Sequence, residues 1–150
     1  SRIVPALKKM FEACRRDGLL PCVTSAYRSP EQQRQILDAK VEEMLAAGVS
    51  EKDAVTEALG WAAEPGHSEH ETGLALDINS SNEKKCPSRR VYAWLAEHGA
   101  EYGFILRYPE EKTAVTGVEY EPWHFRYVGR KAAEEIRSSG VCLEEYLSGR

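Results

Sequence analysis

The chain contains no apolar run approaching the roughly 18 to 20 residues that a membrane-spanning helix needs, and no basic and apolar leader follows Ser1. A spanning segment or signal peptide is therefore not expected within it, although a trimmed ectodomain would look the same. An excess of basic charge is also missing: Lys and Arg total 20 against 24 Asp and Glu, a formal charge of -4 with the signs interspersed. With no basic tail or arginine-rich stripe to neutralise a phosphate backbone, nucleic acid is not an expected partner. Cysteine is sparse, and Cys14, Cys22, Cys86 and Cys142 form no CxxC pair, which argues against a zinc ribbon and predicts buried free thiols. One disulfide is the alternative if the domain is exported. Gly-rich phosphate loops and GxSxG are absent as well, removing the common nucleotide-binding and serine-hydrolase signatures.

What is present suits one domain: 150 residues, 42% hydrophobic, enough for an ordinary core. Val4, Leu7, Phe11 and Cys14 recur at helical spacing and predict a helix over 4–17, followed by a strand over 20–27. In YRSPEQQ at 27–33, Ser29 can cap a helix, Pro30 fits its first position and Gln32 completes a capping box. That helix should run to about Ala47, and a second, capped by Ser50, should end near Gly60. Further helices are expected over Val91–His98 and 130–138, strands over 104–108 and 123–128, an excursion over 109–117, and a short element over 141–147. Long helices followed by several strands predict an α+β fold with a small, largely antiparallel sheet flanked by helices.

The stretch EPGHSEHETGLALDINS at 64–80 stands out. Asp77 interrupts the apolar run Leu74–Ile78, and a carboxylate there is costly to bury unless paired or metal-bound. His70 and Asp77 flank the bend expected at Gly73. His124 supplies a third donor, as catalytic zinc sites require, if its strand lies beside that of Asp77. Pro122 in EPWH makes a turn plausible that brings Glu121 alongside His124, where a carboxylate can accept and return a proton. Taken alone, Glu121 equally reads as a loop acid and His124 as a buried imidazole. Arg28, at a strand-to-helix junction, offers a fixed donor for a substrate carboxylate or a developing oxyanion, and otherwise a salt bridge. Gln33 reads either as a peptide-recognising group or as solvent-facing, Ser68 as a carboxylate contact or a local cap. Tyr27 and Trp123 read as packing aromatics or pocket walls, His67 as a pocket-rim residue and His98 as a residue at a helix C-terminus.

With these residues in place, the sequence resembles the VanY-type D-alanyl-D-alanine carboxypeptidases of the M15 metallopeptidase family. The resemblance lies in YRSPEQQ, SEHETGLALD at 68–77, YGFILRYP at 102–109 and TGVEYEPWHFRYVG at 116–129. It implies zinc ligands His70, Asp77 and His124, catalytic acid/base Glu121, and Arg28 engaging a substrate carbonyl or carboxylate, with Ser68 and Gln33 in the substrate pocket. It further implies a hedgehog/DD-peptidase-like domain spanning 1–150 that hydrolyses the terminal D-Ala-D-Ala bond of peptidoglycan stem peptides or precursors. Such a protein is expected to be a monomer in the bacterial cell envelope, free or as the soluble part of an anchored protein, with the cytoplasm as the alternative location, in glycopeptide resistance or routine wall trimming. An L,D-carboxypeptidase acting on tetrapeptides and a zinc-stabilised non-catalytic peptide-binding module are the alternatives.

Overall fold

The computed structural model describes residues 3–149. They fall into two compact units, one made of Tyr27–Gly73 and the other of the chain on either side of that segment.

The flanking unit holds a four-stranded, wholly antiparallel sheet in the order β1-β2-β4-β3, formed by β1 (Pro21–Ser25), β2 (Ala75–Ser80), β3 (Phe104–Leu106) and β4 (His124–Tyr127). Because side chains alternate between the faces of a strand, Leu76 and Ile78 of β2, Phe125 of β4 and Phe104 of β3 share one face. They pack with Met10, Phe11 and Cys14 of α1 (Ile3–Arg16) and with Val91 and Leu95 of α4 (Ser88–His98). This is the main core. Asp77, His124 and Ile105 belong to the opposite face, where Ile105 packs with Ala133 and Ile136 of α6 (Arg130–Ser139) and with Leu143 and Tyr146 of α7 (Leu143–Ser148). Gly103 sits before β3 with φ +91°, and an added Cβ would lie 2.8 Å from the Tyr127 ring and 3.0 Å from the Arg130 nitrogen. Only glycine fits there.

The Tyr27–Gly73 unit is built on α2 (Pro30–Ala46) and α3 (Glu51–Leu59), packed through Leu37, Val41, Ala58 and Ala62. The capping box forms as the sequence predicts: the Gln32 amide N–H donates to Ser29 Oγ at 3.2 Å, and Ser29 N–H donates to Gln32 Oε1 at 2.9 Å.

The α+β class and the small antiparallel sheet agree with expectation, with the predicted strands two or three residues shorter than patterning suggested. The excursion after β3 is not irregular: it folds into a 3-10 turn (Glu110–Lys112) and the one-turn helix α5 (Thr113–Thr116). All four cysteines are free thiols, three of them buried. Burial pushes the Cys14 thiol up to about 12, which leaves it protonated and unreactive at neutral pH. Among the described residues no helix is long and apolar enough to cross a membrane.

Helix α7 is tied to the excursion by Lys112, whose Nζ lies 2.9 Å from Glu145 Oε2. Glu145 also accepts the Cys142 N–H at 2.8 Å. The hydrogen bond from Lys112, aided by Cys142, lowers the Glu145 carboxyl from its ordinary 4.5 to about 2. A depressed carboxyl stabilises the fold above its unfolded value, and that contribution disappears as pH falls through the folded one. Glu145→Gln should therefore unfold at a lower temperature than the wild type at neutral pH, and the gap should close between pH 4.5 and about 2. Thermal melts of both proteins across that range check this.

Candidate metal centre

Asp77 and His124 are directly opposed partners in the β2–β4 ladder. On one face of an antiparallel pair, opposed side chains are neighbours, and here the His124 Nδ1 lies 3.1 Å from Asp77 Oδ1. Both side chains are largely withdrawn from water, at 6% exposure for His124 and 14% for Asp77. Residues 121–124 form a turn in which His124 N–H donates to the Glu121 carbonyl at 3.1 Å. The turn expected at Pro122 is thus present, and it leaves Glu121 Oε2 3.7 Å from the same Nδ1.

His70 sits in a 3-10 turn (Glu69–Thr72) that ends at Gly73, whose φ of +67° closes the turn and whose N–H donates to the His70 carbonyl at 3.2 Å. The Glu71 carboxylate accepts the Gly66 N–H at 2.9 Å, which pins the preceding loop. The His70 side chain is buried. Donor atoms of His70, Asp77 and His124 all lie within 4.8 Å of one another.

This donor set fits zinc. Two imidazoles and a carboxylate are ordinary zinc ligands, and bonds of about 2.0–2.1 Å imply about 3.3 Å between ligand atoms of a tetrahedral site. The Asp77–His124 separation of 3.1 Å is already close to that spacing. A second carboxylate, Glu121, adds negative charge favourable to a divalent cation without being needed as a ligand.

The other expected residues are not part of the three-residue donor cluster. Gln33 is buried rather than solvent-facing: its Nε2 donates to the Ala63 carbonyl at 2.8 Å and its Oε1 accepts from Arg28 Nη1 at 3.3 Å. Its amide thus orients Arg28, whose own N–H donates to the His70 carbonyl at 3.3 Å. Ser68 precedes the 3-10 turn but makes no side-chain cap, so the capping alternative is not realised. His67 is exposed and outside the donor cluster. His98 ends α4, its Nδ1 3.0 Å from Glu101 Oε1, and is also outside the cluster. Tyr27 is 62% exposed and Trp123 37%, so neither is a core aromatic.

Sequence reasoning singled out no residue of YGFILRYP. The structure shows Tyr108 against the His124 imidazole, ring centroids 5.0 Å apart, and Arg107 over the Tyr108 ring at 4.7 Å. The available signal was a charge at the end of the apolar run Phe104–Leu106, weaker than the charge inside a run that marked Asp77.

A His/Asp/His donor set, with two members opposed on an antiparallel sheet and the third in a 3-10 turn, and an acid one turn from His124, defines a candidate metallohydrolase centre. The particular family follows from comparison: a model of VanY, D-alanyl-D-alanine carboxypeptidase, matches residues 1–130, and the chain belongs to that family. A D-alanyl-D-alanine carboxypeptidase of Enterococcus faecalis (strain ATCC 700802 / V583) is 50% identical over 147 residues, covering 98% of this chain and 54% of the relative. The chain thus spans about half the length of that relative. Among solved structures, VanYB in complex with D-alanine-D-alanine superposes with a TM-score of 0.91 at 50% identity, covering 98% of this chain and 81% of that one. A mutant of the vancomycin resistance D,D-pentapeptidase VanY from a VanB-type cassette, in complex with Zn(II), gives 0.91 at 49% identity, covering 97% and 82%.

Gln33→Ala should remove both amide hydrogen bonds, destabilising the protein by about 1–3 kcal/mol and loosening Arg28. Denaturant unfolding measures the first effect. If Arg28 binds substrate, a rise in KM larger than any fall in kcat measures the second.

Proposed function

We propose that residues 1–150 form one zinc-dependent D,D-carboxypeptidase catalytic domain that hydrolyses the terminal D-Ala-D-Ala bond of peptidoglycan stem peptides or precursors and releases D-alanine. The observation that carries this reading is the convergence of His70, Asp77 and His124, with the Glu121 carboxylate 3.7 Å from His124. His70, Asp77 and His124 would hold the zinc. When bound, zinc polarises a carbonyl and makes water a stronger nucleophile at neutral pH.

Glu121 is the acid/base. As a carboxylate it accepts a proton from the attacking water while the oxygen–carbon bond forms. It then returns that proton to the D-alanine nitrogen as the carbon–nitrogen bond breaks, so protons and bonds balance. Arg28, braced by the Gln33 amide oxygen, binds the terminal carboxylate of the peptide or the negative oxygen of the transition state. Ser68 adds a hydroxyl to the same pocket. The resemblance in the four sequence motifs supports these roles, as do the D-alanine-D-alanine and zinc complexes of the similar structures. A substrate of this kind supports a location in the bacterial cell envelope.

Mass spectrometry of zinc-loaded protein with a muramyl pentapeptide ending in D-Ala-D-Ala, and separately with a tetrapeptide ending in one D-Ala, tests the assignment. Loss of one D-alanine from the pentapeptide alone is expected. Cleavage of the tetrapeptide alone would select L,D-carboxypeptidase action, and cleavage of neither would favour a binding module. Glu121→Gln should retain zinc and lose about 10²–10⁴-fold in rate, the span ascribed to a positioned acid/base.

A further inference from the structure

The metal centre has an outer support that none of the assigned residues includes. Arg107 is buried, at 8% exposure, although arginine is rarely buried unless paired. Its partner is Glu144 on α7: Nη1 donates to Oε2 at 2.9 Å and Nη2 to Oε1 at 2.6 Å, a two-pronged bridge. Burial alone would raise the Glu144 carboxyl, yet the hydrogen bonds from Arg107 hold it below its ordinary value. The guanidinium so fixed lies over Tyr108 at 4.7 Å, and the Tyr108 ring lies 5.0 Å from the His124 imidazole. The same dipeptide grips the His124 segment through its backbone. Arg107 N–H donates to the His124 carbonyl at 3.1 Å, and the Tyr108 carbonyl accepts the Glu121 N–H at 3.2 Å.

We propose that the Glu144–Arg107 bridge is a positioning device for His124: it clamps Arg107 against Tyr108, and Tyr108 sets the imidazole plane that aims Nδ1 at Asp77. The inference rests on His124 being a metal ligand. It assigns a functional role to α7, which lies beyond the 1–130 matched by the family model. Arg107 suits the task because its planar fork engages both carboxylate oxygens while its flat face stacks on an aromatic ring. A lysine could do neither.

Rotating an imidazole away from its bonding orientation weakens a metal site, and partners that orient ligating histidines are typically worth 10–100-fold in metal affinity or activity. Glu144 acts through two intervening residues. Glu144→Ala is accordingly expected to weaken zinc binding about tenfold, the lower end of that span, with Glu144→Gln between it and the wild type. The measurement is zinc competition against a chromogenic chelator, with thermal unfolding of the zinc-free proteins in parallel. Arg107→Ala should weaken zinc binding comparably, and the double variant no further than the more affected single one, since the two residues act as a unit.

Should Glu144→Ala not fold, the near-isosteric Glu144→Gln carries the test together with Arg107→Lys, which keeps the charge but loses the planar fork. Zinc affinities indistinguishable from wild type in these variants, with only the unfolding temperature lowered, would make the bridge merely structural and overturn the proposal. A wild-type chain that binds no zinc, or whose zinc binding survives His124→Ala, would instead refute the metal reading, and this inference would fall with it.

Discussion

The centre depends on one desolvated pair, Asp77 opposite His124 across two neighbouring strands, 3.1 Å apart. A carboxylate in an apolar strand destabilises the fold unless something compensates its charge. Here the ladder register places an imidazole directly beside it. Register leaves little choice: a slip of one residue would send Asp77 and His124 into the main core and bring Leu76 and Phe125 out. The packing of Leu76, Ile78 and Phe125 beneath the sheet therefore fixes the chemistry above it. The hydrophobic core and the metal centre are two faces of one constraint.

The other groups of the proposed site are set by short-range turns rather than by long elements. Glu121 reaches His124 through a turn, and His70 is held in a single 3-10 turn closed by Gly73. Arg28 enters at a capped helix start with the Gln33 amide beneath it. Turns of this kind set side-chain positions at little cost in ordered chain. In the proposed reaction they supply the proton carrier, one ligand and the anion-binding donor.

Much of this was legible in the residues, and the reasons differ. The cap at Ser29–Gln32 could be read because capping is local. Asp77 could be read because a charge inside LALDI contradicts its surroundings. The turn at Glu121–His124 could be read because proline limits the backbone. Convergence of His124 with Asp77 could not, since 47 positions separate them and only the sheet order joins β2 to β4. Gln33 was ambiguous because a glutamine in a helix reads as solvated until the packing of its neighbours buries it. The Arg107–Glu144 bridge was missed because neither partner breaks a pattern strongly enough alone, and their pairing is a property of how α7 returns.

The proposed function stands on His70, Asp77 and His124 holding one zinc ion. Anomalous diffraction at the zinc absorption edge from zinc-soaked crystals is the measurement to make. A single strong peak is expected within bonding distance of donor atoms from all three residues, with Glu121 next to it but not required as a ligand. A peak elsewhere, or none at these residues under saturating zinc, would overturn the zinc assignment.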